Sequence, residues 1–148
     1  MQLMQLVYVS RSRLGANDTQ WKPELDRLIA SAKTFNAIND VTGYLVFDGI
    51  EFAQVLEGHE GSVMGTFLRI ASDRRHENMQ VINRGPIRQR QFDNWQMGMS
   101  VRNETLEHVF KANGFVKPGQ MSVKPFEPVL RLAMQLSRSV SPVFMARP

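Results

Sequence analysis

The chain has 148 residues, 43% of them apolar and 22% charged, the composition of one folded domain with a proper core and not of a disordered segment. It holds no cysteine, which excludes disulfides, thiolate metal sites and cysteine nucleophiles. The formal net charge of +4 lies wholly in residues 102–148, where spread-out basic side chains outnumber Glu104, Glu107 and Glu127; residues 1–101 are balanced, which argues against a nucleic-acid surface there.

No apolar stretch approaches the ~18 residues of a membrane span, and Met1-Gln-Leu-Met-Gln5 has neither the basic nor the apolar region of a secretory leader. A cytoplasmic protein is expected.

Leu3–Ser10 reads as the first strand, with Leu6, Tyr8 and Ser10 on one face and Val7 and Val9 on the other. After the polar loop Arg11–Gln20, Pro23 suits a first helical turn, and Leu25, Leu28, Ile29 and Ala32 recur at helical spacing. Val41–Phe47 and Ile50–Leu56 form a hairpin about Asp48-Gly49, and Gly58 and Gly61 punctuate the next turn. Val63, Phe67, Ile70 and Ala71 mark a second amphipathic helix ending near Asp73. Met79–Ile82 and Trp95–Val101 are two further strands, separated by Arg84–Asn94.

The order β-α-β-β-α-β plus one strand predicts an α+β, ferredoxin-like sandwich: a five-stranded mixed sheet with two helices on one face, over residues 1–101. In residues 102–148, Asn103 can cap a short helix through Phe110 that ends near Gly114. Pro125 opens a longer helix with Phe126, Val129, Leu130, Ala133 and Leu136 on one side. This helical extension is expected to cover the open sheet face or to mediate self-association.

One residue breaks the pattern. Gln54 lies on the same face as Phe52 and Leu56 in a strand that otherwise reads as buried. A buried primary amide needs partners for an acceptor oxygen and a two-proton donor, or it destabilises the fold by about 1–3 kcal/mol. Something polar should therefore meet that face. Tyr8, Asn36, Trp95 and Met97 fall nearby, with Trp95 and Met97 two apart and expected to share a face. The histidines are scattered, so no metal site is expected, and Glu57 reads as a turn or salt-bridge residue.

Several motifs together resemble the BLUF family of blue-light sensors that use flavin adenine dinucleotide. They are Leu6-Val-Tyr-Val-Ser10, Asn36-Ala-Ile-Asn-Asp-Val-Thr-Gly43, Phe52-Ala-Gln-Val-Leu-Glu-Gly58, Asp73-Arg-Arg-His76 and Phe92-Asp-Asn-Trp-Gln-Met97. The resemblance implies a flavin ring between the two helices, walled by Ile29, Ala32 and Phe67 or Ile70, with FAD as the expected cofactor and FMN or riboflavin as alternatives. It implies that Tyr8 is the electron and proton donor, that Gln54 bridges Tyr8 and the N5/C4=O edge of the ring, and that Asn36 binds the C4=O/N3 region. Arg75, with Asp73 and His76, is implied to hold the C2=O or ribityl side, with Ser10 facing the same way. Trp95 and Met97 are implied to relay the signal. Two departures stand out: Phe35 replaces a polar ring found in some members, and the loop Arg11–Gln20 is longer than usual.

The resemblance further implies a sensor and not an enzyme, acting through a homo-oligomer or a protein partner reached by the helical extension. The competing reading is a small hydrolase of the acylphosphatase type. It requires an anion cradle after the first strand, where Arg11-Ser-Arg-Leu-Gly15 offers two arginines and a glycine but no tight turn. RNA binding would require exposed aromatics on the sheet.

Overall fold

In the computed structural model, residues 2–14 and 21–139 are described. The sheet has five strands in the order β4-β1-β3-β2-β5: β1 (Leu3–Ser12), β2 (Thr42–Phe47), β3 (Glu51–His59), β4 (His76–Ile87) and β5 (Gly98–Val101). β2 and β5 are parallel and every other pair is antiparallel, so the sheet is mixed. This is the ferredoxin-like order with one added strand.

Two helices cover one face, α1 (Trp21–Asn39) and α2 (Glu60–Ala71). The stripe of α1 that meets the sheet is Leu25, Ile29, Ala32 and Asn36, a spacing of four, three and four that places an amide at the end of an apolar row. With Leu6, Tyr8, Leu45, Phe52, Leu56, Val63 and Met97 the apolar members of this stripe form one core. The opposite face is covered by α3 (Glu107–Ala112) and α4 (Phe126–Arg138), which bury Val109, Phe110, Val129, Leu132 and Leu136 against Val7, Val9, Tyr44, Val46 and Val55. On α4 the expected Val129, Ala133 and Leu136 are buried together with Leu132, while Phe126 and Leu130 are half-buried. With both faces covered, the sheet offers no open platform for stacking RNA bases.

Several expected boundaries move. β1 runs on to Ser12, because Arg11 and Ser12 still pair with β4 and Arg11 with Glu51. The expected turn at Gly58 and Gly61 is absent: β3 continues to His59 and α2 starts at Glu60. Gly58 is instead a close approach, since a Cβ there would lie 3.1 Å from Asp40 O. β4 spans His76–Ile87 and takes in Arg84, Gly85 and Pro86, which an edge strand tolerates because one side of it is unpaired and wet. β5 is shorter than expected and begins at Gly98. Residues 15–20 of the expected long loop lie outside the described residues.

The hairpin is as expected. Gly49 has φ +100°, and Asp48 Oδ1 accepts from Ile50 N at 2.9 Å and Glu51 N at 2.7 Å. The outer oxygen of Asp48 accepts from Gly119 N at 2.9 Å, and Glu51 Oε1 from Ser122 N at 3.1 Å. The hairpin therefore holds the connection between α3 and α4.

Candidate functional site

Between α1, α2 and the sheet lies a narrow cleft, partly open to solvent. Leu28, Ala32, Leu45, Phe52 and Ile70 supply apolar walls; Tyr8, Gln54, Arg69, Asp73, Arg75 and His76 supply polar groups. An apolar slot with a few converging polar groups is the usual form of a cofactor site. Of the expected walls, Ala32 and Ile70 line the cleft. Ile29 sits in the core instead, and Phe67 packs edge-on against Tyr8 at 6.2 Å.

The register explains the central pair. Tyr8 of β1 lies opposite Gln54 of β3, so alternation brings both side chains to the helix-covered face on neighbouring strands. Tyr8 Oη donates to Gln54 Oε1, and both residues are buried. Burial pushes the Tyr8 phenol well above the ordinary tyrosine value, and Asp73 adds to the shift against an opposing Arg69, so the phenol stays protonated. The other end of the amide, Gln54 Nε2, donates to Met97 Sδ at 3.2 Å.

Trp95 and Met97 do not share a face. Met97 joins the core under α1 and α2, while Trp95 packs in the core under α3 and α4, 5.5 Å from Tyr44 in an edge-on contact. The reason is local: β5 starts only at Gly98, and Gln96 and Met97 form a bend, so strand alternation does not extend back to Trp95. Gly98 permits the packing, because a Cβ there would lie 2.5 Å from the Tyr44 ring.

Asn36 reaches this segment too, its Nδ2 donating to Gln96 O at 2.8 Å, while its buried Oδ1 has no protein partner. Ser10 stands behind the cleft with its Oγ 2.7 Å from His76 Nδ1, and His76 Nε2 donates to Ile70 O at 2.8 Å. Arg75 is committed to Asp73 by paired bonds, Nε to Oδ1 at 2.9 Å and Nη2 to Oδ2 at 2.6 Å. That pairing holds the Asp73 carboxyl below its usual range, against partial burial.

Arg69 is a cleft residue that the sequence reading missed. Its guanidinium lies 3.9 Å from the Phe35 ring centroid, and its buried Nε has no partner. The available signal was its place four residues before Asp73. Phe35 is thus the surface on which Arg69 rests.

Among the described residues no helix is long and apolar enough to cross a membrane, and no group of three or more His, Cys, Asp or Glu is placed to hold a metal. Arg11 and Ser12, part of the anion cradle required by a hydrolase, are strand residues.

The family model for sensors of blue-light using FAD matches residues 3–98. The chain belongs to the BLUF family. It is 30% identical over 107 residues to the photoactivated adenylate cyclase subunit beta of Euglena gracilis, a match that covers 72% of this chain and 12% of that protein. It is 35% identical over 77 residues to the blue light- and temperature-regulated antirepressor BluF of Escherichia coli K12, covering 52% of this chain and 18% of that one. The chain thus spans less than a fifth of the length of these relatives. The dark-state structure of the BLUF protein BlrB superimposes with a TM-score of 0.79 at 24% identity, over 94% of this chain and 98% of that one, a likeness of fold.

Proposed function

We propose that this BLUF chain is a blue-light sensor in which Gln54 is the switching amide and Tyr8 its electron and proton donor. The observation that carries the reading is the chain of contacts from Tyr8 Oη through the Gln54 amide to Met97 Sδ at the edge of an apolar cleft.

The residues present fit a flavin. Of the four buried side-chain polar atoms without a protein partner among the described residues, two lie on the helices that flank the cleft, the acceptor Asn36 Oδ1 and the donor Arg69 Nε, and a flavin ring edge offers both N–H and C=O groups. Tyr8, Ser10, Asn36, Gln54, Asp73, Arg75 and His76 are the residues proposed to hold it, now with Arg69. FAD is favoured by the family description, and FMN or riboflavin would use the same ring contacts. A bound flavin supplies the blue-light chromophore and, when excited, an acceptor for one electron.

The chain's residues do the rest. Tyr8 is kept neutral by burial, so it can lose an electron and then its proton, the proton leaving toward Gln54 Oε1. The Gln54 oxygen is held by a phenol, but its Nε2 is held only by a thioether, a weak acceptor. An amide so held can turn over or tautomerise, exchanging donor and acceptor ends without change of shape.

Signal would leave through the Trp95–Met97 segment, which touches Gln54 on one side of the sheet and the α4 core on the other. Residues 102–148 are proposed as the extension that passes it to a second copy or to a partner protein. Purified protein should be yellow, with a flavin band that shifts to the red in blue light and returns in darkness. Protein that stays colourless and refuses added flavin would contradict this reading.

A further inference from the structure

Glu57 is a carboxylate with no solvent exposure, three residues beyond Gln54 on β3. Its Oε1 accepts from two consecutive backbone amides, Gln91 N at 2.9 Å and Phe92 N at 2.8 Å. Its Oε2 accepts at 2.9 Å from Nε2 of Gln5, which lies three residues before Tyr8 on β1 and directly opposite Glu57 in register. One side chain thus joins the two strands of the Tyr8–Gln54 pair to the start of the segment that carries Met97.

The rest of that segment follows from its start. Phe92 is buried against Tyr44, with ring centroids 5.8 Å apart, and Phe92 O accepts from Trp95 N at 3.1 Å. Trp95 O accepts from Gly43 N at 3.0 Å, Gln96 O from Asn36 at 2.8 Å, and Met97 Sδ then meets Gln54 at 3.2 Å. Arg90 closes the outer side, donating from Nη1 to Thr42 Oγ1 at 2.9 Å and to Glu57 O at 3.1 Å. Irregular backbone of this kind cannot satisfy its own N–H groups, and a carboxylate is an acceptor-only group with room for all three donors.

We infer that Glu57 is the positioning residue of the switch: it fixes the origin of residues 91–97 and thereby holds Met97 Sδ at the Gln54 amide. The inference rests on the reading of Gln54 as the switching amide. What matters is the acceptor geometry and not the charge. The side-chain amide of an E57Q variant keeps one oxygen for both backbone N–H groups and lets Gln5 turn over to accept its new N–H.

The test uses flavin-loaded wild type, E57Q and E57L, with two readouts: dark-recovery rate after blue light, and amide hydrogen exchange at Gln91 and Phe92 in darkness. E57L should speed exchange at both amides by roughly tenfold or more, the change expected when buried N–H groups lose their acceptor. It should also slow dark recovery several-fold with flavin still bound, while E57Q stays within about twofold of wild type in both. Faster exchange in E57L with unchanged recovery makes Glu57 merely structural and overturns the inference, as does an E57Q variant disturbed as much as E57L. If E57L does not fold, Gln5→Leu removes the β1 contact alone and should slow recovery in the same direction; unchanged recovery overturns the inference. Wild-type protein that binds flavin without any shift overturns the switching amide itself, and this role with it.

Discussion

Gln54 Nε2 donates to Met97 Sδ at 3.2 Å, and this contact places Met97, alone of Trp95 and Met97, in the core that holds Gln54's neighbours Tyr8 and Phe52. Trp95 lies across the sheet against Tyr44. Met97→Leu keeps nearly the same volume, so the fold should lose less than about 1.5 kcal/mol, yet it removes the acceptor of the amide. The dark flavin spectrum and the recovery rate should both change. Trp95→Phe should leave the dark spectrum alone, while destabilising the α4-side core. Absorption spectra of the two variants check this; a dark spectrum sensitive to Trp95 and not to Met97 would contradict it.

Glycines separate by what surrounds them. A Cβ at Gly43 would lie 2.0 Å from Val55 O, a backbone atom of the central strand. Gly43→Ala should therefore cost about 3 kcal/mol or more, at the upper end of overpacking. Gly65 lies within α2 with nothing within 4 Å of a Cβ, and Gly65→Ala should stabilise by about 0.5–1 kcal/mol. Urea unfolding of the two variants gives both signs.

The Asp73–Arg75 pair sets an acid limit on the mouth of the cleft. The Asp73 carboxyl is held below its ordinary value of 3.8, chiefly by its hydrogen bond to Arg75. A depressed carboxyl stabilises the fold fully above its ordinary value and loses that contribution as pH falls through the lowered one. The stability advantage of wild type over Asp73→Asn should be constant from about pH 5 upward and shrink below about pH 4. Thermal unfolding across that range tests it, and an advantage that grows on acidification would contradict it.

The β2–β3 hairpin should couple to the C-terminal helices. Asp48→Ala removes the acceptor of Ile50 N, Glu51 N and Gly119 N together, at a cost of about 1–3 kcal/mol or more because the group is buried. Hydrogen exchange should rise at Gly119 as well as in the hairpin. A change confined to the hairpin would show that the two are independent.

How far the sequence carried depends on the environment of each element. β1, the hairpin and α1 were legible because strands buried on both sides read as apolar runs and helices as a stripe. Gln54 stood out because an amide among apolar residues has no cheap explanation. The extent of β4 was hidden because an edge strand accepts Arg84, Gly85 and Pro86 without a pattern. The split of Trp95 from Met97 was hidden because a bend before Gly98 breaks alternation, and nothing in the residue types marks it. Arg69 was missed for a similar reason: its environment is made by Phe35, distant in sequence. Glu57 reads as a turn or salt-bridge residue only while β3 is taken to end at Leu56; the strand runs on to His59.

The most direct test is the light-minus-dark spectrum of Tyr8→Phe and Gln54→Leu beside wild type, each with flavin bound. A reversible red shift is expected in wild type and none in either variant, with flavin retained in all three. A normal, reversible shift in both variants would contradict it.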